Sequence, residues 1–263
     1  WESTRESNMG MDFGLFNNHL TGSVDYFIKK TSDILISPAY LAVIGDGGAR
    51  FANGASMQNK GLEVLLSYNG NIAPGLSLTV TGNVATYRNK ITDLPAEVLT
   101  SYPGNGQDKN ILGRSVNSTF GYIADGLFRS QKEVDDYANQ IGKGVGRIRY
   151  KDLNGDGVID DKDRDYIGKG DPDFTYGLNV SLEYKRFDLT FFLQGIQGIQ
   201  VYNTYKTYTD FSSIWPGTNW GSRTLDAWTP QRPDATIPAL TLVDRNNENR
   251  TSTYFLESGS YLK

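Results

Sequence analysis

The sequence contains no cysteine, a single histidine and only three methionines. Without cysteine there is no disulfide and no thiolate metal site, which suits a cytosolic protein and a bacterial envelope protein equally. The one histidine, His19, falls in a short polar turn, so histidine-based catalysis and histidine-rich metal centres are poor fits. No apolar run is long enough for a membrane-spanning helix, and any membrane role must therefore be played by strands. Excess positive charge is missing too: the net charge of -4 and pI of about 5.1 leave no nucleic-acid footprint. Hydrophobic residues reach only 38% over 263 residues, low for a large globule, against 12% aromatics and 29 glycines. The chain opens on Trp1 and closes on Ser260-Tyr-Leu-Lys263, which reads as the start of another strand; it is expected to be an interior piece of a longer protein.

What is present is alternation. Phe174, Tyr176, Leu178, Val180, Leu182 and Tyr184 share one face of an extended strand, and Thr175, Gly177, Asn179, Ser181 and Glu183 share the other. After Lys185-Arg186 the pattern returns with Phe187, Leu189, Phe191 and Leu193 against Asp188, Thr190 and Gln194; Phe192 intrudes on the polar side. A second hairpin runs Met9–Leu15, Asn17-Asn18-His19, Leu20–Ile28, with Phe27 among the polar-side residues. A third runs Leu62–Tyr68, a turn over 69–75, then Leu76–Val84. Period-two patterning of this length predicts about six long strands in three hairpins, each with one apolar and one polar face.

The connections discriminate between architectures. Turns at 17–19, 69–75 and 185–186 are short, whereas those at 31–59, 88–173 and 196–258 are very long, and the two kinds alternate strictly. Tight turns at one end and large loops at the other are the layout of an outer-membrane barrel. A strand of about ten residues rises roughly 33 Å, enough at about 45° of tilt to cross the apolar band. Phe174 and Tyr176 at one end and Tyr184 and Phe187 at the other fit interfacial girdles. A soluble β-sandwich shares the alternation, since periodicity does not say whether lipid or a second sheet meets the apolar face. It does not predict connections so unequal in length. The expected fold is all-β: part of a transmembrane antiparallel β-barrel, with the large loop regions 88–173 and 196–258 outside the cell.

Loops this long are normally functional. Ser130-Gln-Lys-Glu133 is a capping-box sequence that should open a short helix through Asn139. Asp152-Leu-Asn-Gly-Asp-Gly-Val-Ile-Asp-Asp-Lys-Asp163 matches the spacing of a twelve-residue calcium loop. Asp152, Asn154 and Asp156 would supply oxygens, Val158 a carbonyl, and Asp160 a water-mediated contact. Asp163 stands where a bidentate Glu is usual, and no helix pair flanks the loop, so a bound Ca2+ would be structural. The same residues also suit an ion-free Gly/Asp turn. The last loop carries Tyr202, Tyr205, Tyr208, Phe211, Trp215, Trp220 and Trp228, candidates for stacking on sugar, peptide or a partner protein, or for a small core of the loop itself.

Other motifs carry little. Asp25, Glu63, Glu183 and Asp188 sit on polar strand faces, where a wetted lumen wall explains them better than a hydrolase dyad does. Gly142-Lys-Gly-Val-Gly is too loose for a phosphate loop.

Taken together the motifs resemble the C-terminal barrel segment of the SusC/RagA family of TonB-dependent outer-membrane transporters of Bacteroidota. The likeness rests on Asn8–Leu35, Asn59-Lys-Gly-Leu-Glu-Val, Gly121-Tyr-Ile-Ala-Asp-Gly-Leu-Phe, Ile148–Gly157, Pro172-Asp-Phe-Thr-Tyr-Gly, Phe187-Asp-Leu, Arg223–Pro230 and Gly259-Ser-Tyr-Leu-Lys. The resemblance implies a plugged barrel of the 22-stranded class. It also implies a SusD-type surface lipoprotein as lid, oligosaccharide or peptide as cargo, and TonB coupling through parts not in this segment. Neither catalysis nor nucleic acid enters that picture. The rival readings are a soluble calcium-binding β-domain that recognises carbohydrate, and a surface hydrolase.

Overall fold

The computed structural model describes residues 1–36, 52–95, 111–211, 217–242 and 247–263. Four long strands open the chain: β1 (Ser3–Leu15), β2 (Leu20–Ile36), β3 (Ala52–Ala73) and β4 (Leu76–Asp93). Four short strands follow, β5 (Ser118–Tyr122), β6 (Ala124–Leu127), β7 (Ile148–Tyr150) and β8 (Arg164–Lys169), with helix α1 (Gln131–Asp136) between β6 and β7. The long pair β9 (Phe174–Tyr184) and β10 (Phe187–Gln197) comes next. Then come β11 (Gln200–Tyr202), helix α2 (Tyr205–Thr209), β12 (Leu256–Ser258) and β13 (Tyr261–Leu262).

The long strands form one antiparallel sheet in the order β1-β2-β3-β4-β9-β10-β13. The three hairpins stand where the alternation puts them. Their turns use the expected chemistry: Asn17 and Asn18 hold φ of 55° and 65°, and Gly75 holds 72°. The strands run further than the alternation does. β3 continues to Ala73, leaving Pro74-Gly75 as the turn instead of 69–75, and β2 and β4 extend to Ile36 and Asp93. Backbone pairing needs no apolar side chain, so the ladder persists past the point where patterning stops.

Register explains three small residues. Gly22 lies opposite Phe13, Gly61 opposite Phe27, and Gly195 opposite Tyr176. A Cβ at any of the three would strike the ring beside it. The aromatic covers the glycine's bare backbone, which explains why Phe27 sits on a polar face.

The core does not lie in the sheet. It lies in a cap where the two long connections fold together around Leu127, Ile148, Tyr150, Ile159, Phe211 and Phe255. Tyr122, Tyr137, Tyr202, Trp228 and Tyr254 pack around them. Ribbons β5–β8 and β6–β7, from the first long connection, and β11–β12, from the second, frame this core. Helix α1 is capped by Ser130, whose Oγ accepts from Glu133 N at 3.2 Å. The reciprocal half of the capping box differs from expectation: Glu133 Oε2 accepts from Arg129 N, and the helix ends at Asp136.

Two ionic clamps hold the cap. Glu248 accepts from Arg147 Nη1 at 2.9 Å and from Ile148 N at 3.0 Å, with side-chain exposures of 2% for Glu248 and 9% for Arg147. Asp210 accepts from Tyr254 Oη at 2.6 Å and faces Arg223 Nε at 3.4 Å. Burial, and then the hydrogen bond to Asp210, pushes the Tyr254 phenol up.

Candidate functional site: the two faces of the sheet and the cap

Each face of the sheet can be followed strand by strand. On one face the in-register rows read Met11-Val24-Val64-Val84-Tyr176-Gly195, Phe13-Gly22-Leu66-Gly82-Leu178-Leu193 and Leu15-Leu20-Tyr68-Val80-Val180-Phe191. Leu78, Leu182 and Leu189 form the next row toward the short turns, and Leu76, Tyr184 and Phe187 the last. Among the described residues no second layer covers this face. Leu178 is 36% exposed, Leu189 51% and Phe191 54%, and Val80 and Val180 are only partly covered by their neighbours. An apolar surface of that extent, alternating with a wetted opposite face, fits the lipid-facing wall of a barrel.

The opposite face is a polar wall tied together across strands. Ser67 Oγ and Thr81 Oγ1 lie 2.8 Å apart, Asn69 Nδ2 donates to Thr79 Oγ1 at 3.1 Å, and Ser181 Oγ and Thr190 Oγ1 lie 2.9 Å apart. Asn89 Nδ2 donates to Asn59 Oδ1 at 2.7 Å further up. Asp25 stands directly opposite Glu63, and Glu183 directly opposite Asp188. All four carboxylates therefore belong to this wall. Two large apolar residues, Leu65 at 41% and Phe192 at 62% exposure, also point from it.

The structure divides the aromatic candidates of the last loop. Phe211 is buried in the cap core, Tyr202 stacks on Phe255 with ring centroids 5.4 Å apart, and Trp228 packs against the same cluster. Tyr205 at 76% and Tyr208 at 44% exposure remain on the surface of α2, and Trp220 is half-buried nearby in sequence. Trp215 lies outside the described residues. Helix α2 is anchored from below: Lys206 Nζ donates to Tyr254 O and to Glu257 Oε1, each at 2.8 Å. Lys206, with help from Asn203, holds the Glu257 carboxyl below its usual 4.5.

The 152–163 loop is closed by its own backbone. Asp152 accepts from Gly155 N at 2.7 Å and Gly157 N at 2.9 Å, Asn154 from Asp156 N at 3.0 Å, and Asp156 from Val158 N at 3.0 Å. Asp163, fully buried, accepts from Leu153 N and Asp160 N, both at 2.8 Å. The Asn154 amide, and then the Val158 N–H, lower the Asp156 carboxyl. Asp160 caps the short 3-10 turn Asp161–Asp163, and Ile159 plugs the loop into the cap core. Among the described residues no three His, Cys, Asp or Glu side chains converge as a metal-holding group.

No protein-family model matches the chain. It is 28% identical over 273 residues to the TonB-dependent receptor P26 of Formosa agariphila, covering all of this chain and 27% of that protein. It is 27% identical over 197 residues to the TonB-dependent receptor SusC of Bacteroides thetaiotaomicron, covering 74% of this chain and 19% of that protein. The RagAB peptide transporter structure superposes with a TM-score of 0.75 at 21% identity, over all of this chain and 28% of that one. The chain thus spans about a quarter of the length of the relatives it matches along its whole extent. The fold, a sheet with one apolar and one polar face and a folded cap, is that of part of an outer-membrane β-barrel. Within that class the chain is similar to proteins named as TonB-dependent receptors, SusC among them, at 27–28% identity.

Proposed function

We propose that the parent protein imports oligosaccharide or peptide across the outer membrane, with this segment supplying part of the barrel wall and part of the outer cap. The observation that carries this reading is the unbroken register across six strands, which keeps the rows from Met11-Val24-Val64-Val84 to Leu76-Tyr184-Phe187 apolar or glycine on one face while the other stays wet and hydrogen-bonded. The relatives are named as TonB-dependent receptors, and a structural neighbour as a peptide transporter. TonB coupling, through portions outside this segment, and a SusD-like lipoprotein as lid belong to the same proposal.

Tyr205 and Tyr208, with Trp220, are the cap aromatics assigned to cargo or lid, and Trp215 keeps that assignment from the sequence alone. Tyr202, Phe211 and Trp228 are spent on holding the cap together. Removing both exposed rings (Tyr205→Ala with Tyr208→Ala) is expected to weaken capture about thirty-fold, since each aromatic contact is worth about 1 kcal/mol. The measurement is uptake of labelled oligosaccharide and oligopeptide pools by cells carrying the wild-type or variant parent protein, with and without TonB. Uptake indifferent to both the parent gene and TonB would refute import. Normal import by the double variant would refute only the assignment of the rings.

A structural Ca2+ at Asp152, Asn154, Asp156, Val158, Asp160 and Asp163 is proposed from spacing and from the turns at Gly155 and Gly157, whose φ values are 74° and 80°. To bind it, Asn154 Nδ2 must release Asp156 Oδ2, now 2.9 Å away, and turn its oxygen inward. Millimolar calcium should then raise the melting temperature of the cap by several degrees, and Asp152→Ala should abolish the shift. No calcium-dependent shift in the wild type would dispose of the site.

A further inference from the structure

Following the lipid-facing rows toward the long connections reveals a change of chemistry. Above Met9, Tyr26, Leu62 and Thr86 the next row on the same face is Ser7-Ile28-Lys60-Arg88, and the one beyond is Arg5-Lys30-Gln58-Lys90. The alternation is uninterrupted here, because at this end of the strands the bulges fall beyond Thr31 and Met57. Arg5, Lys30, Lys60, Arg88 and Lys90 therefore project outward from the barrel, on the side of the lipid, and all five are exposed. Glu6 and Lys29, one position away, face the lumen side.

Two of the direct cross-strand pairs are cation against cation: Arg5 opposite Lys30, and Lys60 opposite Arg88. Such neighbours hold their Cβ atoms about 5 Å apart and repel. Among the described residues only Arg88 has an acid, Asp173 at 3.7 Å, and Lys169 competes for it at 2.6 Å. The belt begins about 40 Å along the strand from the Leu76-Tyr184-Phe187 row, or roughly 28 Å of height at the usual tilt, just past the apolar band. Tyr26 and Phe174, just beneath it, mark that boundary.

The geometry points to a headgroup site: this outward cationic belt binds the anionic phosphate of lipids in the outer leaflet, at the outer rim of the band. The occupant is a lipid and not a free anion because the cations stand directly over a surface that already holds acyl chains. One molecule can satisfy both at once. This inference rests on the lipid-facing assignment of the sheet, which a separate labelling experiment tests.

The test uses the detergent-purified parent protein and native mass spectrometry. Phosphatidylglycerol and zwitterionic phosphatidylcholine are titrated as probes. Wild type is expected to favour phosphatidylglycerol about ten-fold or more, and Lys30→Gln/Lys60→Gln/Lys90→Gln to lose that preference, while Lys29→Gln on the lumen side keeps it. Equal binding of both lipids by wild type, or an unchanged preference in the triple variant, would overturn the inference. Displacement of the lipid by an equal concentration of inorganic phosphate would reassign the belt to free anions and overturn it too. Should the triple variant not fold, the salt dependence of wild type decides: the preference should fall steeply with added NaCl, and a salt-insensitive preference refutes the site.

Discussion

Replacing Glu248 by alanine is expected to destabilise the cap by about 3–5 kcal/mol, one of the two largest single-residue effects in this segment. Arg147 would keep its charge in a site where only 9% of its side chain reaches solvent, and Ile148 N would lose its acceptor. Alanine supplies neither. Glu248→Gln should fall in between, since an amide oxygen can still accept from Ile148 N but cannot neutralise the guanidinium. The pair joins positions 101 residues apart, so its loss should loosen both long connections together. Hydrogen exchange on the intact parent protein would report this as faster exchange, by about 100-fold or more, in β6, β7 and residues 247–258. Rates in β3, β4 and β9 should not move. A penalty below about 1 kcal/mol would mean that water reaches Arg147.

The second large effect separates neighbouring residues. Val180→Arg places a guanidinium at mid-depth of the lipid-facing band, beside Val80 and Phe191, and is expected to cost about 2–4 kcal/mol of barrel stability. Asn179→Arg, one residue earlier, points into the wet side between Thr81 and Phe192 and should cost less than about 1 kcal/mol. Urea titration of refolded parent barrel in lipid vesicles measures both. In a soluble sandwich the lipid would be irrelevant, and moving the protein from vesicles to buffer would not alter the difference.

Much of this was legible in the sequence because a membrane strand writes its environment into alternate residues. Leu178, Val180 and Leu189 could be sided correctly without coordinates, and the three hairpins followed from their turns. The strand extensions through Ala73 and Asp93 could not be, because a ladder outside the lipid places no demand on side chains. Phe27 looked misplaced until register put it over Gly61. The aromatic loop was the hardest to read. Phe211 and Tyr205 are both aromatic and six residues apart, and only Phe255 and Tyr254, arriving from the far end of the connection, decide that one is core and the other surface. Arg147 and Glu248 carry no local mark of partnership either. The cationic belt, by contrast, was within reach: extending the alternation two steps past Met9, Tyr26 and Leu62 collects Arg5, Lys30 and Lys60 on one side.

The identity of the phase touching each face of β9 is the claim on which the rest depends. This stretch contributes no cysteine of its own, so single cysteines can be placed one at a time from Gly177 to Glu183 in the parent protein, embedded in native outer membrane. Each is then challenged with a membrane-impermeant aqueous thiol reagent and, after attachment of a fluorophore, with a lipid-phase quencher. Positions 178, 180 and 182 should be quenched from the lipid and spared by the aqueous reagent, and 177, 179, 181 and 183 should not be quenched. Quenching without the two-residue period, or none at 178 and 180, would contradict a barrel wall.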